Sequence, residues 1–238
     1  MQCDGAFPGH LQGVCTNELD AIYWCFTTVL LKTDANGRVL KKIDVATHHG
    51  DLCFHDGKIF VAVNLGQFNQ PAGKEDSWVY VYDADTLREL ARHKAPELVH
   101  GAGGIAFHDG RFFVVGGLPV GAKENYVYEY DASFAFQKRH VLASGYTLLG
   151  IQTVAFAADH WWFGCYGNPR VLLKADPDFK LVGKWEIDAS LGIVGLRDGK
   201  LLIARGAFER GKGYTARLEL AAVDDKDGLR LIDAHPKK

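Results

Sequence analysis

Apolar and polar positions along this chain alternate in short runs with a period of two, the signature of strands buried on one or both faces. No amphipathic stripe of helical period extends beyond a turn or two. The runs are written as a repeated phrase: a polar or glycine-rich approach, a short apolar strand, an Asp-Gly-Lys/Arg turn, and a second apolar strand. One copy reads Gly50-Asp51-Leu52-Cys53-Phe54-His55-Asp56-Gly57-Lys58-Ile59-Phe60-Val61, and a second reads Gly103-Gly104-Ile105-Ala106-Phe107-His108-Asp109-Gly110-Arg111-Phe112-Phe113-Val114. A weaker copy occupies 195–203, and looser ones begin near His10 and Gly150. A strand-rich unit recurring every ~40–50 residues predicts an all-β fold built by radial repetition, a β-propeller.

Counting copies gives five blades of four antiparallel strands in one domain spanning 1–238, with blades at about 10–46, 47–96, 97–146, 147–188 and 189–238. In blade one the strands fall at 13–16, 21–26, 29–34 and 39–43. The Asn36-Gly37 pair between the last two predicts a two-residue type I′ hairpin, whose central positions both need positive φ. The third strands end in Asp34, Asp83, Asp131, Asp176 and Asp224. Each carboxylate is placed to accept backbone N–H groups of the following turn, so these acids are expected to be structural.

Composition narrows the partners. A net charge of −2, from 27 basic and 29 acidic residues, provides no long-range attraction for nucleic acid or an anionic membrane, and no apolar run is long enough for a transmembrane helix. A small-molecule or saccharide ligand and a monomeric state are expected. The start, Met1-Gln2-Cys3, has no basic segment or apolar signal core, which fits a cytoplasmic protein or a secreted or periplasmic one whose signal has been removed. Five cysteines form no C-x-x-C pair. Cys15, Cys25 and Cys53 read as small buried hydrophobes. Cys165 beside Tyr166 raises the idea of a thiol nucleophile, but no oxyanion-hole motif or orienting third residue accompanies it.

The chemistry is expected where the repeat breaks its own pattern. In a propeller the residues just ahead of each innermost strand converge on the channel mouth, and here they read Gly9-His10-Leu11-Gln12, Thr47-His48-His49-Gly50-Asp51, Val99-His100-Gly101-Ala102 and Gly150-Ile151-Gln152-Thr153. Three histidines, His10, His48 and His100, would hold a divalent metal ion of unspecified identity or act as acid, base and substrate ligands. Because neighbouring strand residues face opposite ways, only one of His48 and His49 can look into the channel. The apolar strand start aligns His48 with His10, whereas His100 falls one place out of step. Tyr166 joins the catalytic candidates, and Gln12, Asp51, Asn64, Gln152 and Arg205 the substrate-binding ones. Asp51 is placed either to orient a histidine or to cap its turn. Gly101, Gly103 and Gly104 enter a strand rather than a helix, which rules out a dinucleotide fingerprint.

The blade openings Gln12-Gly13-Val14, Gly50-Asp51-Leu52, Gly103-Gly104-Ile105 and Gln152-Thr153-Val154 are laid out in a way that resembles five-bladed propellers of the plant and bacterial glutaminyl cyclase type. NHL repeats are similar in blade rhythm. The cyclase resemblance implies a five-bladed architecture over most of the chain. Where that family places glutamates at several openings, this sequence has Asp51, Gly103 and glutamine. From the convergent histidines and their polar neighbours the expectation is an enzyme of lyase or hydrolase type acting at the channel mouth on a polar small molecule, a sugar or uronic acid. The alternative is a non-catalytic propeller that binds a glycan or peptide at the same face.

Overall fold

A computed structural model describes residues 1–232. They form a five-bladed β-propeller of four-stranded antiparallel sheets, each with its strands in sequence order. Blade one holds β1 (Leu11–Thr16), β2 (Ala21–Phe26), β3 (Val29–Asp34) and β4 (Val39–Asp44). Blade two holds β5 (His49–His55), β6 (Lys58–Asn64), β7 (Ser77–Asp83) and β8 (Glu89–Lys94). Blade three holds β9 (Ala102–His108), β10 (Arg111–Gly116), β11 (Asn125–Tyr130) and β12 (Phe136–Leu142), and blade four β13 (Leu148–Ala157), β14 (His160–Tyr166), β15 (Val171–Ala175) and β16 (Leu181–Trp185). Blade five closes the list with β17 (Ile193–Gly195), β18 (Leu201–Glu209), β19 (Gly213–Asp224) and β20 (Gly228–Ile232). No helix among these residues is long and apolar enough to cross a membrane.

The period-two pattern works here because each blade has a neighbour on both faces. On β2, Tyr23 packs toward blade two and Trp24 toward blade five, so every residue of that strand is buried. The outermost β4 shows the opposite pattern and is almost wholly exposed. Five apolar layers result, one between each pair of adjacent blades.

The recurrent turns follow their residues. Asp56-Gly57 and Asp109-Gly110 both place two successive residues at positive φ, as a type I′ hairpin requires, and Ala158-Asp159 does the same in blade four. Each third-strand aspartate accepts backbone N–H groups as expected: Asp34 from Asn36 and Arg38, Asp83 from Thr86, Asp131 from Ser133 and Ala135, Asp176 from Asp178 and Lys180, and Asp224 from Lys226 and Asp227. That role corrects the reading of Asn36-Gly37. Only Gly37 has positive φ, and the Asp34 carboxylate organises a longer turn whose register shifts between Lys32 and Thr33.

Ring closure uses residues ahead of the first blade. β19 is longer than β20, and the edge that β20 leaves free pairs with residues 1–7. Cys3 N–H donates to the Ala216 carbonyl, and Phe7 and Tyr214 exchange both backbone hydrogen bonds. The first residues thus continue the line of β20, and Cys3 and Phe7 enter the apolar layer between blades five and one. Phe7 packs against Phe26 with ring centroids 4.7 Å apart and the rings tilted by 44°. Phe7→Ala is expected to lower unfolding free energy by about 3 kcal/mol in urea titration, the usual cost of a large core truncation. Val120→Ala, at a position 90% exposed, should stay within about 0.5 kcal/mol of the parent.

Candidate functional site

The innermost strands β1, β5, β9, β13 and β17 have a sheet partner on one side only, so their inward N–H and C=O groups reach the axis without a ladder. Asp51 on β5 fills that place. Its side chain is fully buried, with Oδ1 accepting from Val14 N–H at 3.2 Å and Oδ2 from Val154 N–H at 3.3 Å, so one carboxyl ties β5 to β1 and β13. Neighbouring backbone makes room for it. A Cβ on Gly13 would lie 2.3 Å from Asp51 Oδ1, and one on Gly50 would lie 2.3 Å from the Gly103 carbonyl oxygen. Burial pushes the Asp51 carboxyl well above the usual carboxylate range.

Asp51 divides the axis into two spaces. Below it lies a cavity of about 140 Å³ walled by the far halves of the inner strands. Above it, at the mouth, lies a cavity of about 260 Å³ lined by His10, Gln12, His48, Asn64, Phe68, Leu149, Gln152 and Tyr166, together with His49, Gly50, Ala102 and Gly103. Asp51 itself lines neither cavity, and its hydrogen bonds go to backbone rather than to a histidine.

The structure brings together much of the expected set. His10 lies on the rim with Nε2 3.5 Å from the Tyr166 hydroxyl. Its residue surface is open to solvent, yet the ring lies against Tyr166 and, edge-on, Tyr214. That partial burial, with the charge of Arg170 and the nearness of His48, holds its pKa below the ordinary 6.5. Burial raises the Tyr166 phenol. His48 is exposed at the mouth with φ 61°, in the left-handed region. The His49 side chain is committed elsewhere, in the wall between blades one and two. Its Nδ1–H donates to the Ala46 carbonyl and its Nε2 accepts from the Tyr82 hydroxyl, both at 2.7 Å. Burial brings its pKa down to about 4.

Other candidates are placed differently. His100 is half-buried outside the cavity lining, with Nδ1 donating to the Gln70 carbonyl at 2.9 Å. The ligand set of His10, His48 and His100 is therefore not assembled, and no group of three or more His, Cys, Asp or Glu side chains among the described residues is arranged to hold a metal ion. Arg205 also lies outside the lining, donating from Nε to Glu219 at 2.8 Å and from Nη1 to the Asp188 backbone carbonyl. Asn64 lines the cavity but spends its amide on the Gly66 carbonyl and the Asp76 N–H. Gln152 donates to the Leu149 carbonyl at 2.6 Å, leaving its oxygen free. Cys165 is fully buried, and burial pushes its thiol up to about 12, which suits a core residue rather than a nucleophile.

Sequence reasoning gave no role to Phe68 or Leu149, although both form cavity wall. The one sign in the sequence is that the segment carrying Phe68, between the second and third strands of its blade, is longer than a hairpin requires.

No protein-family model matches the chain, and no curated protein matches it in sequence. Among solved structures, the glutaminyl cyclase of Myxococcus xanthus is similar over 92% of this chain and 95% of its own, with a TM-score of 0.61 and 12% identity. Kuenenia stuttgartiensis hydrazine synthase is similar over 98% of this chain and 67% of its own, with a TM-score of 0.53 and 13% identity. At such identities the likeness is one of fold, and it agrees with the architectural resemblance to the cyclase read from the blade openings.

Asp51→Ala leaves two inner-strand N–H groups unpaired and is expected to cost about 2–4 kcal/mol in urea titration, with Asp51→Asn, which keeps one acceptor, losing less. His49 gives a pH signature. Its folded pKa of about 4 lies below the ordinary 6.5, so the unfolded chain binds the proton first and stability falls as pH drops from about 6.5 to about 4. The Asp51 carboxyl, raised in the fold, acts in the opposite direction, so the comparison must be between variants. His49→Gln should be less stable at pH 7 but lose less between pH 6.5 and 4, the difference approaching about 3 kcal/mol at most.

Proposed function

We propose that the upper cavity is the active site of an enzyme of lyase or hydrolase type that acts on a small polar molecule by proton transfer between His10 and Tyr166. The observation that carries this reading is the pairing of His10 Nε2 with the Tyr166 hydroxyl at 3.5 Å, both in the wall of one cavity at the channel mouth. Their opposite pKa displacements suit a division of labour. The lowered histidine is neutral near pH 7 and can take a proton from water or from an acidic C–H of the substrate; the raised phenol keeps its proton and can deliver it to the leaving oxygen or nitrogen. Gln12, Gln152 and His48 would orient the substrate. The fold supports asking for turnover first, since the Myxococcus xanthus propeller of similar architecture is an enzyme.

The nearness of His48 to His10 supports a second use of the same groups, in which the two imidazoles hold a divalent ion whose remaining positions are filled by water or substrate.

A panel of glycosides, uronides and glutaminyl peptides, assayed for turnover and for binding, tests these readings. His10→Asn and Tyr166→Phe should each lower kcat by about 10²–10⁴ while the fold is retained, with activity falling on the acid side as His10 is protonated. A stoichiometric metal lost on His10→Ala/His48→Ala would favour the metal reading. Binding without turnover across the panel, unaltered by His10→Asn, would sink the enzyme in favour of a recognition propeller.

A further inference from the structure

The upper cavity has no formally charged wall: among the described residues, no Asp, Glu, Lys or Arg lines it. Arg170, whose charge is felt at His10, is already paired with Asp188, and Arg205 with Glu219. A carboxylate or ammonium entering this space would shed water without meeting an opposite charge, which is costly.

Polar capacity is nevertheless left over. The Gln12 side chain makes no hydrogen bond within the described protein, so it offers both a donor and an acceptor. Gln152 adds an unused carbonyl oxygen. Hydroxyl groups, each a donor and an acceptor, match that mixture.

Part of the remaining wall is aromatic, with Phe68 and Tyr166 among its residues. Phe68 rides on the 65–76 loop between β6 and β7, and its ring lies over blade three because Gly101 and Gly103 have no side chains. A Cβ on Gly101, at φ +97°, would lie 2.4 Å from Phe68 Cδ2, and one on Gly103 would lie 3.3 Å from Cζ. The loop is latched beside the ring. Asn69 N–H donates to the His100 carbonyl at 3.0 Å, Asn69 Oδ1 accepts from Leu118 N–H at 3.0 Å, and His100 Nδ1 holds the Gln70 carbonyl. His100 and Asn69 are thus positioning residues for Phe68.

Resting on the active-site reading above, we propose that the cavity takes an uncharged saccharide ring, its C–H face laid on Phe68 and its hydroxyls on Gln12 and Gln152, and discriminates against uronates. A volume of about 260 Å³, below the ~300–1,000 Å³ usual for drug-sized ligands, suits a single ring.

The test is binding, measured by ligand-observed NMR with methyl glucoside, methyl galactoside, methyl mannoside and the corresponding uronates. At least one neutral glycoside should bind, its uronate about tenfold or more weakly. Phe68→Ala should weaken the neutral probe about five- to tenfold, and Phe68→Tyr should restore it. His100→Ala should weaken it in the parent but add nothing in the Phe68→Ala background, a dependence that general loss of stability would not produce. Uronate binding equal to or tighter than the neutral probe, no binding by any neutral probe, preferential binding of a glutaminyl peptide, or indifference to Phe68→Ala would overturn the proposal. Turnover is not needed for this readout. A His10→Asn variant that binds normally without reacting leaves the inference standing, while a failed His10 test with intact glycoside binding removes only the catalytic reading.

Discussion

Five sheets meeting edge-first on one axis create the constraint on which the rest of this molecule depends. Each inner strand arrives with a row of inward N–H and C=O groups that no ladder can use, and a buried unpaired amide costs about 1–3 kcal/mol. Asp51 answers for two strands besides its own, with one oxygen on Val14 and the other on Val154. Room for a carboxyl on the axis in turn requires bare backbone around it, which explains Gly13 and Gly104 on either side. On β5 Asp51 stands between Gly50, which lines the upper cavity, and Leu52, which lines the lower one, so the axis is divided where the ring is held together.

The architecture was legible because its signals are local. Alternation on each strand, two-residue turns at Asp56-Gly57 and Asp109-Gly110, and the terminal aspartates of the third strands all act within a few residues of where they are written. Asn36-Gly37 misled because the competing signal, the Asp34 carboxylate, lies two residues upstream and accepts from both Asn36 and Arg38. Ring closure by residues 1–7 left no local trace: its partners, Tyr214 and Ala216, lie at the other end of the sequence.

The site was legible by position and less so by orientation. His10 and His48 stand level with each other ahead of their strands, and both line the mouth. His100 was one place out of step, and that single residue sends its ring to the Gln70 carbonyl instead. Arg205 lies within β18 instead of a loop and is held there by Glu219, and Asp51 had the right opening but a deeper seat. Phe68 could not be seen, because an aromatic residue in an irregular loop has no periodicity and its seat is made of absences at Gly101 and Gly103.

A fivefold scaffold carrying a one-sided site has to spend its symmetry somewhere. Blades one, two and four bring polar side chains to the mouth, and blade three brings glycines and a latch. Blade five, whose inner strand is only Ile193–Gly195, contributes none of its described residues to the cavity wall. Equal blades would present five copies of one group around the axis, a ring suited to an ion or a column of water. Unequal blades instead set His10 and Tyr166 on one side and the Phe68 ring over blade three, and such a cavity can hold an asymmetric molecule in one orientation. That property separates a catalytic or selective site from a pore, and here it arises where the repeated phrase departs from itself.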